Sequence, residues 1–433
     1  MRFLHRWQLN FTPNKTIDRT MQDRSHFNNL NKGKNWSKSG QGFGWGMILV
    51  LPLLGLPVLA QTPPDPNAPI PNPLELTQPD PLLPEGIINR PLSSPEKDVL
   101  RTALEQLQAE AAAKLQTGDI PGALDILNRE LRLRRFLGSA EEVAALSRVG
   151  EVAWRESQIT ELRFITERLQ QIEQQVSTQP DPNPNLLLKI AEAYTTVRAK
   201  AQAGSLYSKL LAQAQQQQNL NRQEQILTEM GQLHLAWFDY ANAATAYEQL
   251  VTVAQAKSDR VAQAKYLEQL ARIYQENRQP DQAIATSQKL VDLYQQQRNF
   301  EPIPALKLAI GDQYAVLGRT DLAVPSYQEA FAAARSVQQY AYASDALQRL
   351  ATLYRADNRI DEALATYRLL LDVEQQSYNT VGLMDTYDQI GQMLKARGDN
   401  SQALNAFRQG LQLAQQLKYK VDYFTAQIQA VSQ

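Results

Sequence analysis

A 40-residue periodicity governs this 433-residue chain. With Ala363 as reference, alanine recurs at the same phase at Ala123, Ala203, Ala243, Ala283, Ala323 and Ala403, and Arg163 alone interrupts the series. Twelve residues before that phase stand Ala111, Ala191, Gly231, Ala271, Gly311, Ala351 and Gly391, and four after it stand Tyr207, Tyr247, Tyr327, Tyr367 and Phe407. A chain self-similar at this period does not collapse around one central core. It stacks supersecondary units, each of which buries its apolar face against its neighbours.

The unit is a helix hairpin. One copy, Arg349 to Leu371, reads RLATLYRADNRIDEALATYRLLL, two apolar-periodic segments separated by Asp357-Asn358. Leu187, Leu227, Leu267 and Leu347, with Ile190, Met230, Leu270, Ile310, Leu350 and Ile390 one turn on, form a core-facing stripe at helical spacing. The small residues allow close helix approach, and the aromatic rings fill the space beside them. Gly118, Gly318, Asn358 and Gly398 suit left-handed turn positions, Pro121 and Pro280 suit first helical turns, and Asp281, Asp321 and Asp361 lie where the helix dipole favours a carboxylate. In the second hairpin Gly150 comes one position early and Arg163 replaces the small residue, which predicts a degenerate repeat. Pro180, Pro182 and Pro184 predict a joint near residues 178–185, and Pro325 predicts a kinked or late-starting helix. The stretch from Lys418 to Gln433 reads as one further helix covering the last hairpin.

This pattern resembles the tetratricopeptide repeat family across residues 98–433, roughly three-quarters of the chain. The 40-residue unit is longer than the family's 34, and the family's proline near the end of the second helix is missing. The resemblance implies an all-α fold: a right-handed α-solenoid of about eight helix-turn-helix repeats with a C-terminal capping helix. It further implies a concave face lined by first helices, whose outward phases are Arg148, Glu192, Thr228, Gln232, Glu268, Arg272, Gln275, Asp312, Gln348, Thr352, Arg355, Asp388, Gln392 and Lys395. These phases mix charges with amides and lack the repeated Lys and Asn of a groove that clamps a C-terminal carboxylate. They suit an extended protein segment or, alternatively, an oligosaccharide.

Residues before the repeats have a different character. The first 43 carry eight Lys/Arg against Asp18 and Asp23, and Trp45 to Ala60 is uncharged and apolar. That order, ending in Val58-Leu59-Ala60, predicts a secretory signal over residues 1–60 and delivery to the periplasm or another extracytoplasmic compartment. The alternative is an anchor kept at residues 45–60, although 16 residues interrupted by Pro52 and Pro57 fall short of the roughly 20 that span a bilayer. Residues 61–97 hold eleven prolines and predict a disordered, semi-rigid linker.

Composition narrows the chemistry. Without its first 43 residues the chain has 36 basic and 43 acidic residues, a net of −7, which opposes counterion-driven nucleic-acid binding. There is no cysteine, and beyond the first 43 residues His234 is the sole histidine. It shares the phase of Tyr194, Tyr274, Tyr314 and Tyr354, a packing position. No metal site, cofactor site or nucleophile–base pair can be assembled from this inventory. Carboxylates such as Glu268 and Asp312 recur at those phases because that face is solvated. The expectation is a non-enzymatic scaffold that engages a protein partner.

Overall fold

A computed structural model describes residues 71–75, 79–84 and 90–432; the predicted signal or anchor lies outside them. The described chain is built of helices in tandem pairs. These are α1 (Ser94–Gln116) with α2 (Ile120–Arg134), α3 (Ser139–Arg155) with α4 (Ile159–Ser177), and α5 (Pro184–Thr196) with α6 (Lys200–Gln216). Next come α7 (Leu220–Ala236) with α8 (Tyr240–Ala256), α9 (Arg260–Glu276) with α10 (Pro280–Gln296), and α11 (Ile303–Val316) with α12 (Thr320–Ser336). Then follow α13 (Tyr340–Ala356) with α14 (Ile360–Gln376), α15 (Thr380–Arg397) with α16 (Asn400–Leu417), and a single closing helix, α17 (Val421–Ser432). Each helix packs on the next, and no strand occurs among the described residues. This is an all-α solenoid with eight hairpins and a C-terminal cap.

Its regularity comes from the turns. Left-handed residues fall at positions 198, 218, 238, 258, 278, 298, 318, 338, 358, 378, 398 and 418, one every 20 residues. Most helices between them are 17 residues long and are joined by three-residue connections. In the turn after α7, Phe238 N–H donates to Leu235 O at 3.0 Å and Asp239 N–H to His234 O at 2.9 Å, so a left-handed residue lets the chain satisfy the last carbonyls and reverse. The next helix is then capped by the residue after the turn: Asp119, Asn183, Asn219, Asp239, Asp259 and Asn379 each accept from a backbone N–H of the first turn. The 40-residue unit is thus two 20-residue halves of like geometry. Few of these left-handed positions are glycine. At Tyr378 (φ 56°, 91% exposed) the L side chain meets the left-handed penalty with no burial in return. Tyr378→Gly is expected to raise stability by about 0.5–1 kcal/mol, read as a higher denaturation midpoint; a lower one would show that the ring does make a stabilising contact.

Prolines trim this pattern without breaking it. The helix α5 starts at Pro184 and α11 at Ile303, each a few residues later than phase; Pro184 and Pro304 sit in the first turn, where a missing N–H costs little, and Pro180, Pro182 and Pro302 precede it. Across residues 178–185 the buried cluster continues from Val149 and Ala153 through Leu187, Leu188 and Ile190 to Val197. Pro325 does not delay α12, which begins in phase at Thr320. The second hairpin keeps its geometry too. Its turn residue, Ser157, and the start of α4 come one residue early, and the buried position is Leu162 while Arg163 points outward. A one-residue slip, not a lost repeat, accounts for Arg163.

Part of the proline-rich stretch is folded onto the array. Pro73–Glu75 forms a 3₁₀ turn whose Leu74 is buried in the main cluster, and Arg132 of α2 donates to Pro73 O at 2.7 Å. Arg129 grips Asp80 with two bonds of 2.7 and 2.9 Å, holding that carboxyl below its usual range. The linker expectation therefore extends too far at its C-terminal side: prolines withhold backbone donors, but the leucines and aspartate between them still dock.

The repeat phases pack as small–large pairs. A methyl group at Gly231 would meet the Tyr247 ring at 2.7 Å, and one at Gly311 would meet Tyr327 at 2.5 Å. Between α2 and α4 lies a buried polar pair: Asn128 Nδ2 donates to Glu161 Oε2 at 3.1 Å, while Asn128 Oδ1 and Glu161 Oε1 have no partner. Burial pushes the Glu161 carboxyl up, and the neighbouring negative charge of Asp125 adds to this, so its contribution to stability is present at low pH and lost as pH rises through the shifted value. Glu161→Gln supplies the missing donor without a charge. It is expected to gain about 1–2 kcal/mol at pH 7 and to flatten the pH dependence of unfolding; a variant less stable than the parent at pH 7 would refute that pairing.

Candidate functional site

Alternate helices of the array, α3 through α15, carry all fourteen of the residues proposed from the sequence, and none of the fourteen is buried. Their roles differ. Arg148 is held by two bonds to the fully buried Glu130 (2.6 and 2.7 Å), where Arg134 and Gln108 also converge. Asp312 accepts from Tyr327 Oη and from Arg349 Nε, both at 2.8 Å. Glu268 accepts from Tyr294 Oη at 2.6 Å, and Arg355 donates to Gln389 at 2.8 Å. Asp388 accepts from Tyr423 Oη of the cap at 2.9 Å, Gln392 donates to that same oxygen at 3.0 Å, and Lys395 reaches Gln427 at 3.5 Å. Thr228 and Thr352 turn back onto their own helices, and Gln348 donates to Ser344. Seen this way, Asp312, Glu268 and Asp388 are struts between helices before they are contacts for anything else.

The remaining side chains, Glu192, Gln232, Arg272 and Gln275, make no hydrogen bond or ion pair among the described residues and lie together on α5, α7 and α9. Glu229 stands beside them. Burial pushes up both the Glu192 and Glu229 carboxyls, and for Glu229 the charge of Glu192 adds to the shift, while Lys189 and Arg222 partly offset it for Glu192. Burial likewise raises the nearby Tyr207 hydroxyl, with Glu229 and Glu192 as further causes. This stretch offers carboxylates that are poorly solvated, together with amides and one guanidinium. Such a set accepts hydrogen bonds from cations or backbone N–H groups.

A second feature was not legible beforehand. An open groove of about 910 Å³ runs between α8 and α10 over a floor of Leu267, Leu270 and Tyr274 on α9, walled by Glu248, Lys289 and Asp292. It contains none of the fourteen residues. It occurs at the hairpin whose aromatic phase is taken by Ser287, so the large ring found in neighbouring hairpins is missing there. Tyr274 Oη donates to Glu248 at 2.5 Å across the groove's edge, one of a series of tyrosine–carboxylate ties that includes Tyr266 with Glu224 and Tyr194 with Glu173. Burial and the Glu224 partner push the Tyr266 hydroxyl up to about 12. The carboxylates come from other helices, at the same offset of 26 residues for Tyr274–Glu248 and Tyr294–Glu268 and at 21 and 42 residues for Tyr194–Glu173 and Tyr266–Glu224.

His234 Nδ1 lies 3.0 Å from Asp239 Oδ2, which also receives Lys200 Nζ at 3.0 Å and caps α8. The histidine braces a turn. Among the described residues no cluster of His, Asp and Glu is arranged to hold a metal ion, and no helix is long and apolar enough to cross a membrane.

The family model for the tetratricopeptide repeat matches residues 264–297, which cover most of α9, all of α10 and the first residue of the turn after it. A search of curated proteins finds no match. Among solved structures, a signal transduction ATPase with numerous domains and a tetratricopeptide repeat sensor, from Pyrococcus horikoshii, is similar at 14% identity and TM-score 0.38, over 78% of this chain and 50% of that one. The chain thus spans about half the length of that protein. MamA is similar at 20% identity and TM-score 0.31, over 44% of this chain and 98% of its own. Aspartyl phosphate phosphatase F from Bacillus subtilis is similar at 14% identity and TM-score 0.29, over 76% and 96%. The α9–α10 hairpin is thus a tetratricopeptide repeat, and its small-residue phases, Ala271 and Ala283, recur in the hairpins stacked on either side of it, although Ser287 takes the aromatic place.

Proposed function

We propose that the chain is a non-enzymatic scaffold that binds an extended, donor-rich segment of a partner protein along the first-helix face at α5, α7 and α9, outside the cytoplasm. The observation that carries this reading is the contrast along that face. Toward the C-terminus its polar groups are tied to other helices, whereas Glu192, Gln232, Arg272 and Gln275 are left unengaged, and the ionised forms of Glu192 and the neighbouring Glu229 are under-solvated. A Lys- or Arg-bearing segment would supply the missing donors. Export is supported by the order of basic, apolar and small residues over 1–60.

The test is affinity capture of cross-linked partners from the native extracytoplasmic fraction, with the parent beside a Glu192→Gln, Glu229→Gln, Arg272→Ala variant. A protein retained by the parent and lost in the variant supports the reading. Capture should also weaken as pH falls, because the raised carboxyls take up protons before ordinary glutamates do. Equal recovery by the two chains would move binding off this face, to the groove between α8 and α10 or elsewhere.

A further inference from the structure

The turns of the second, third and fourth hairpins carry a ladder of rings, of which Trp154 and Phe238 are exposed and Trp237 is half-buried against the core cluster. Trp154 stands at the end of α3, 45% exposed; Arg198 is the left-handed residue between α5 and α6; Trp237 and Phe238, the latter 77% exposed, lie in the turn after α7. The Arg198 guanidinium lies 4.9 Å from the Trp154 ring centroid and 5.4 Å from that of Trp237. Because Arg198 belongs to the hairpin between the other two, the indoles flank it, and their centroids are no more than about 10 Å apart. The ladder is braced from below: Asp239 holds Lys200 and His234 at 3.0 Å each, tying the third turn to the fourth.

We propose that this ladder is a docking site for a polyproline II segment with prolines three residues apart and a carboxylate between them. Such a helix rises about 3.1 Å per residue, so every third proline recurs at about 9 Å, which falls within the upper bound of about 10 Å on the separation of the two indoles. A proline ring can then lie on each indole while the exposed guanidinium edge of Arg198, which stacking leaves free, pairs with the intervening acid. Trp, Phe and Arg at one exposed place are also the composition that dominates protein–protein contact energies. The face is distinct from the first-helix surface proposed above, so either reading can fail alone.

A probe with the required pattern exists in the sequence: residues 61–72 read QTPPDPNAPIPN, with Pro63, Pro66 and Pro69 in period and Asp65 among them. The experiment is fluorescence anisotropy of that labelled synthetic peptide against the full chain, carrying Pro63→Ala, Pro66→Ala and Pro69→Ala so that its own copy of the pattern cannot compete. Saturable binding is expected, weakened at least tenfold by Trp154→Ala or Arg198→Ala, with helicity checked by circular dichroism. A peptide with all three prolines changed to Ala should not bind, and one with Asp65→Asn should bind several-fold more weakly. Absence of saturation at millimolar peptide would overturn the proposal, as would equal affinity for the Trp154→Ala chain or displacement of the peptide by neutral oligosaccharides alone.

Discussion

Phe424→Ala is expected to cost about 3–5 kcal/mol, and the loss should appear first at the C-terminal end of the array. Phe424 is the fully buried residue of α17, and its ring sits against Gly410 of α16, where even a methyl group would clash with it. It packs edge-on to Tyr423 at 5.3 Å, whose hydroxyl reaches Asp388 of α15, and Lys420 adds a 2.8 Å bond to Asp385. These polar bonds are exposed and are worth little each, so the ring supplies most of the closure. In a solenoid each unit is held only by its neighbours, and losing the cap leaves the apolar face of α15 and α16 open to water. Chemical denaturation of the variant should show a lower midpoint, and hydrogen exchange should speed up in α15–α17 before α5–α9. A loss under about 1 kcal/mol, or exchange that rises uniformly, would mean that α17 rides on the array without sealing it.

The parts of this architecture legible from sequence are those that packing repeats. Gly231 with Tyr247, Gly311 with Tyr327 and Gly391 with Phe407 announce themselves because one helix-to-helix distance is reused in each hairpin, and the same small and large volumes must recur. The turns repeat just as strictly yet hide, since Arg198, Phe238 and Tyr378 adopt left-handed geometry that their side chains do not favour; the requirement is on the backbone, and solvent-facing positions tolerate its cost. Leu74 and Asp80 were concealed by the prolines around them, whose number signals a lack of backbone donors but not a lack of docking side chains. On the candidate face, helical phase placed all fourteen residues outside the core. It gave no sign that Asp312 would be claimed by Tyr327 and Arg349, because those partners come from other helices and their meeting depends on how far side chains reach. Periodicity reports which way a residue points. Whether it is still free for a ligand is decided by neighbours at irregular offsets.

Gly391→Leu tests the packing rule directly. A Cβ built on Gly391 would lie 2.5, 2.7 and 2.8 Å from three carbons of the Phe407 ring, and Phe407 is fully buried, so the ring has nowhere to withdraw without moving α16. The substitution improves local helix propensity by up to about 1 kcal/mol, yet overpacking of a filled core typically costs about 1–3 kcal/mol, so the net effect is destabilising and the variant should unfold at a lower midpoint. The control lies in α6. Gly204 also sits inside a helix, but a Cβ there meets nothing within 4 Å, so Gly204→Ala is expected to stabilise by about 0.5–1 kcal/mol through propensity alone. Opposite signs at these two helical glycines would show that closeness to the aromatic phase, and not glycine's flexibility, is what the repeat requires at position 391. If both substitutions stabilise, α15 and α16 pack more loosely than the Gly391–Phe407 distances imply, and the small–aromatic rule fails for this hairpin.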